Sequence, residues 1–126
     1  VLGSDTIVVA QGNILGKPKD KTDAMRMLSI LSDNTHQVFT AVTITSAKQQ
    51  KTIVVETKVC FGPLTTQQMA WYWQTGEPQD KAGSYGIQGL GGQFVKHIEG
   101  SYSAVVGLPL YQTRMLLTEF GIINEC

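Results

Sequence analysis

The feature that most restricts this fold is a pair of β-branched, alternating runs joined by a short polar link. From Gln37 to Thr45 the chain reads Gln-Val-Phe-Thr-Ala-Val-Thr-Ile-Thr; after Ala47-Lys48-Gln49-Gln50, residues Ile53, Val55, Thr57, Val59 and Phe61 alternate with Val54, Glu56, Lys58 and Cys60. Period-two alternation sends the two sets to opposite sides of a pleated strand, and β-branched side chains suit that surface. The two runs are therefore expected to form an antiparallel pair with one apolar and one mixed face.

The remaining elements arrange themselves around this pair. Val1 to Val9 reads as the middle of a buried strand, turning at Gln11-Gly12-Asn13 into a short return through Ile14-Leu15. Asp20 is a suitable helix N-cap, and Ala24, Met27, Leu28 and Leu31 then fall on one helical stripe. Thr65 and Gln68 have capping-box spacing ahead of Met69, Tyr72 and Trp73, with Gly76 and Pro78 ending that helix. Pro109 and Gly121 bracket a third helix carrying Leu110, Leu116, Leu117 and Phe120. Residues 83 to 92 hold five glycines, and Phe94 to Val106 reads as a hairpin turned at Gly100-Ser101. The class is α/β with α+β as its borderline: a mixed sheet flanked by helices, in one domain over 1–126.

Composition narrows the function classes. Of 126 residues, 42% are hydrophobic, enough for a real core, and Lys plus Arg equal Asp plus Glu at ten each. No basic field exists to gather nucleic acid or an anionic membrane, so a phosphate site has to be built locally. No apolar stretch suits a membrane span or secretory leader, and the two cysteines, Cys60 and Cys126, give neither a disulfide framework nor metal-ligand spacing. A cytoplasmic protein is the expectation.

Three constellations can carry chemistry. Asp5, a carboxylate inside an apolar strand, either caps local amides at a bend or faces a cleft, because a buried charge without partners is costly. Gly16-Lys17-Pro18-Lys19-Asp20-Lys21 is either a solvated loop or a set of ammonium groups for a polyphosphate; it is not a Walker A loop. Gly76 to Gly89 joins charge, an amide and glycines that let backbone N–H groups converge on an anion, with a turn-rich linker as the alternative. His36 and His97 lack neighbours at ligand spacing and read as surface or core residues. Trp71, Tyr72 and Trp73, consecutive on a helix, point in different directions and suit core or interface packing better than base stacking. Gly-x-Ser-x-Gly is absent and Cys60 sits in a strand, so covalent catalysis is disfavoured, and any metal would be a hard ion held by carboxylates.

In order and approximate spacing, the chain resembles the Maf family of nucleoside triphosphate pyrophosphatases. The resemblance rests on Gly3-Ser4-Asp5-Thr6, Gly16-Lys17-Pro18, Thr35-His36-Gln37-Val38, Gly76-Glu77-Pro78, Asp80-Lys81-Ala82-Gly83, Tyr85-Gly86-Ile87-Gln88-Gly89, and Gly100-Ser101-Tyr102 through Val106-Gly107-Leu108-Pro109. It implies attack of water on the α-phosphorus of a nucleoside triphosphate with pyrophosphate leaving, assisted by Mg²⁺ or Mn²⁺; which residues hold the metal stays open. By resemblance, Asp5 occupies the catalytic acidic position and would activate water directly or through a divalent cation, Lys17 binds phosphate, Asp80 and Lys81 bind substrate, and Thr6 and Gln88 govern substrate choice. Ile87-Gln88-Gly89 is similar to the subgroup acting on dTTP and UTP, with modified pyrimidine nucleotides as further substrates, and a glutamine amide suits the imide edge of thymine or uracil. Ser4, Ser84 and Gln112 depart from the residues common at their positions. The family's amino-terminal strand and its Ser-x-Ser-Pro-Arg-Arg-like loop have no counterpart here, so the chain is expected to be the carboxy-terminal portion of such a domain. A homodimer is the assembly the family suggests, and the alternative reading is a non-catalytic nucleotide-binding or septum-formation module.

Overall fold

A computed structural model of the chain describes residues 1–122; Cys126 lies outside the described residues. Five strands form one sheet in the order β2-β1-β3-β4-β5, where β1 is Leu2–Ala10, β2 Asn13–Leu15, β3 Thr35–Thr45, β4 Gln50–Phe61 and β5 Val95–Glu99. The expected central hairpin is present, with Thr40 opposite Val55 and Val38 opposite Thr57. All four pairings are antiparallel, so the sheet among the described residues is not of mixed direction, although helices flank it as the α/β reading implies. Each connection that links sheet neighbours directly is a short turn, which allows only antiparallel pairing.

One face of the sheet is covered. Val8 and Ala10 of β1, Val38, Thr40, Val42 and Ile44 of β3, and Thr57, Val59 and Phe61 of β4 are buried, while the residues that alternate with them are more exposed. Helix α1, Lys21–Leu31, is capped by Asp20 Oδ1, which accepts from the Asp23 amide at 2.8 Å. It buries Ala24, Met27, Leu28 and Leu31 against the sheet's first core cluster. Burying the three large side chains contributes roughly 5–9 kcal/mol before conformational entropy is subtracted. Helix α2, Thr66–Gln74, starts with the expected reciprocal cap between Thr65 and Gln68. A smaller cluster of Val42, Ile44 and Leu116 docks α4, Leu110–Glu119, at the other end of the sheet.

Two sequence expectations change. Phe94 to Val106 is not a hairpin: β5 ends at Glu99 and a short helix α3, Tyr102–Val106, follows. Ser101 Oγ accepts from the Ala104 amide at 3.1 Å and so starts a helix instead of a return strand, and Gly107, at φ 134°, ends it. The opening strand is buried only in its second half: Leu2 is 45% exposed, whereas Val8 is buried. Among the described residues no helix is long and apolar enough to cross a membrane.

Candidate nucleotide site

Where the cover supplied by α1 and the glycine-rich segment gives way to α3, the sheet is left open over a cavity of about 490 Å³. Its floor is Thr6, Val8 and Val38, its apolar side wall Val105 and Val106 of α3. The opposite wall is the segment running from Glu77 to Gly89, folded as short 3-10 turns at Glu77–Asp80 and Ala82–Ser84. A volume of this order takes a drug-sized or nucleotide-sized ligand.

Four of the six residues singled out from the sequence line this space: Thr6, Asp80, Lys81 and Gln88. Thr6 is held by a relay. Thr40 Oγ1 spends its proton on the Ala104 carbonyl at 2.6 Å, so in the 3.0 Å contact between the two threonine hydroxyls Thr6 is the donor. The remaining lone pairs of Thr6 Oγ1 are then acceptors for a ligand donor. Lys81 Nζ stands 3.6 Å from Asp80 Oδ1 with both side chains substantially exposed, a loose pair that a phosphate can replace. The Gln88 amide makes no hydrogen bond among the described residues and is exposed, so its donors and acceptor are available.

Asp5 and Lys17 are not on this lining. Asp5 follows Ser4 and precedes Thr6, whose hydroxyls bond to the α3 side of the sheet, at the Gly107 carbonyl and Thr40 respectively. Strand alternation therefore turns the Asp5 side chain to the opposite, open face, where its Oδ1 accepts from the Thr6 amide at 3.0 Å. Lys17 is exposed, but the residue before it is tied to the cavity wall, since Gly83 N–H donates to the Gly16 carbonyl at 3.0 Å.

The residues that the sequence reading left without roles form the wall's frame. Glu77 accepts from Leu90 N–H and Gly91 N–H, each at 2.8 Å, and from the Tyr72 hydroxyl. Tyr72 is fully buried, and its oxygen also accepts from Gly86 N–H at 3.1 Å. The glycine-rich amides thus do converge on an anion, but on the chain's own carboxylate and not on a vacant ligand position. Burial alone would raise the Glu77 carboxyl above its ordinary range; hydrogen bonds from Tyr72, Gly91 and Leu90 outweigh it and hold the group below. Burial also raises the Tyr72 hydroxyl strongly, so it remains a protonated donor. Beneath this frame, His36 is 1% exposed and shares a 2.6 Å hydrogen bond through Nε2 with Tyr85 Oη. Burial pulls its pKa down to about 4, and its Nδ1 is buried without a partner, so it is a neutral core residue. His97 is exposed on β5, and Trp71 and Tyr72 diverge as expected, one half-exposed and the other in the core.

An antiparallel sheet covered on one face, with a lysine, an amide and a hydroxyl acceptor around one cavity, is an arrangement able to take a phosphorylated ligand with a polar ring. The profile of the family described as Maf-like protein matches residues 1–120, and the chain belongs to that family. It is 62% identical over 125 residues to the dTTP/UTP pyrophosphatase of Pseudoalteromonas atlantica, covering 99% of this chain and 65% of that protein. It is 64% identical over 120 residues to the dTTP/UTP pyrophosphatase of Vibrio vulnificus, covering 95% of this chain and 64% of the relative. With the dTTP/UTP pyrophosphatase of Colwellia psychrerythraea the identity is 58% over 125 residues, 99% of this chain and 59% of the relative. The chain therefore spans somewhat less than two thirds of the length of these relatives.

Proposed function

We propose that the chain serves the hydrolysis of dTTP and UTP to the monophosphate and pyrophosphate, with the cavity between β1, α3 and the glycine-rich wall as the nucleotide pocket. The observation that carries this is the meeting of Thr6, Lys81 and Gln88 around one space. Lys81 meets the polyphosphate, Asp80 releasing it on substrate arrival. Gln88 offers both a donor and an acceptor to the imide edge of the base, and the Thr6 acceptor faces a donor on the nucleoside. Val105 and Val106 pack against the ring and exclude water on that side. Lys17, held near the wall through Gly16, extends the cationic rim toward the terminal phosphates.

In the reaction water attacks the α-phosphorus, the α–β bridging P–O bond breaks, and the electron pair leaves with pyrophosphate. This chemistry asks for positioning and charge neutralisation, not for a covalent nucleophile. Asp5 is proposed to take the proton from water on the family resemblance alone, since its carboxylate stands on the face of the sheet away from the pocket. No three His, Cys, Asp or Glu side chains among the described residues stand together as a metal site. A hard divalent cation would be carried largely by the triphosphate's own oxygens, with the exposed Asp80 carboxylate on the cavity lining as the protein group that would hold it. When bound, such a cation neutralises phosphate charge.

The placement of Asp5 on the face away from the pocket favours one second reading, a module that binds the nucleotide without turning it over. Pyrophosphate release from dTTP and UTP with Mg²⁺ or Mn²⁺, compared between the chain and Asp5→Asn, separates the two. The proposal expects the variant to lose turnover by about a hundredfold or more while keeping UTP binding. Equal turnover in both removes the role given to Asp5. UTP binding with no turnover in either favours the binding module for this portion of the protein.

A further inference from the structure

Gln88 reads the base in the reading above, yet nothing among the described residues holds its side chain, so its position is inherited from the backbone that carries it. That backbone is fastened on both sides of Gln88. Two residues before it, Gly86 N–H donates to the Tyr72 hydroxyl at 3.1 Å; two and three residues after it, Leu90 and Gly91 N–H donate to Glu77 at 2.8 Å each. The two fasteners are themselves joined, because the Tyr72 hydroxyl donates to Glu77. The segment also wraps closely around this anchor. A Cβ at Gly89 would collide with the Glu77 carboxylate, and one at Gly91 would come within 2.8 Å of the Gly86 carbonyl oxygen.

We infer that Glu77, acting with Tyr72, is the positioning residue of the nucleotide pocket: its carboxylate replaces an external anion inside the glycine-rich wall and so fixes where Gln88 meets the base. This rests on the pocket being the nucleotide site. The chemistry explains why a carboxylate is required. All three of its partners are donors, which an acceptor-only group satisfies completely. A carboxamide in its place would turn an NH₂ group toward a backbone N–H and leave that donor without its partner.

The test compares the chain with Glu77→Gln, titrating UTP and, separately, inorganic tripolyphosphate, which meets the lysines but has no base for Gln88 to read. Amide hydrogen exchange at Gly86, Leu90 and Gly91 is followed in the same samples. The expected result is a loss of UTP affinity of about tenfold with tripolyphosphate affinity kept within about twofold, together with faster exchange at the three amides. Equal weakening of both ligands would assign Glu77 a merely structural role and overturn the inference, as would unchanged UTP binding. Should Glu77→Gln fail to fold, Tyr72→Phe keeps the buried ring and loses only the hydroxyl, and it is expected to show the same split between the ligands. If the unsubstituted chain binds UTP no better than tripolyphosphate, the pocket reading itself fails and the inference falls with it. That outcome is visible before any variant is made.

Discussion

The glycine-rich wall after α2 and the lysine-bearing loop before α1 run side by side, joined by the Gly83 N–H bond to the Gly16 carbonyl, yet they are built in opposite ways. The wall is closed on itself: Glu77 and Tyr72 occupy its converging amides, and added side-chain atoms at Gly89, Gly91 or Gly92 meet something already there. Around Gly16 nothing lies within 4 Å of an added Cβ, and Lys17, Lys19 and Lys21 are all exposed. The difference teaches that converging N–H groups mark an anion site only when the chain does not supply the anion. In the proposed site the wall contributes shape and the Gln88 amide, and the charge to meet phosphate comes from lysines.

The contrast predicts unequal responses to the same small change. Gly91→Ala pushes a methyl group against the Gly86 carbonyl and the Tyr72 hydroxyl and should cost about 3–4 kcal/mol by urea unfolding, from overpacking and the loss of wall hydrogen bonds. Gly16→Ala, measured in the same way, should stay within about 0.5 kcal/mol. Comparable losses at both positions would break the comparison.

A somewhat smaller effect comes from below the wall, where His36 bonds to Tyr85. Its folded pKa lies near 4 against an ordinary 6.5, so between those values the unfolded chain binds a proton that the folded chain refuses. This histidine's contribution is therefore complete above pH 6.5, declines as pH falls toward 4, and is level below that. By pH 4.5 the unsubstituted chain should have lost about 2–3 kcal/mol relative to pH 7.5, a loss that His36→Gln should largely abolish. Identical pH profiles for the two proteins would show that His36 is not the group responsible.

Much of the architecture was legible in sequence because it rests on periodicities the chain states openly. The alternation on either side of residues 47–50 gave the hairpin, the stripe Ala24-Met27-Leu28-Leu31 gave α1, and Thr65 with Gln68 gave the start of α2. Helix α3 was misread because five residues are too few to show a helical period, and Ala104-Val105-Val106 is apolar enough to pass for a strand. Of the residues lining the cavity, Thr6, Lys81 and Gln88 are singled out by motif resemblance, whereas the bonds of Glu77 depend on the return of a loop 13 residues later. The pairing of Asp5 with Thr6 in one site ran against strand geometry, since neighbours on a strand face opposite sides. That conflict could have been seen in the sequence, and it is why the turnover experiment carries two readings.

The most direct test of the central claim, that the cavity between β1, α3 and the glycine-rich wall is where the nucleotide sits, is a residue-by-residue map of amide NMR shifts as UTP is added to the labelled chain. The account predicts that Thr6, Lys81, Gln88 and Val106 respond together along one binding curve. A response confined to the open face of the sheet or to the outer side of α4, with these four amides unmoved, would contradict it.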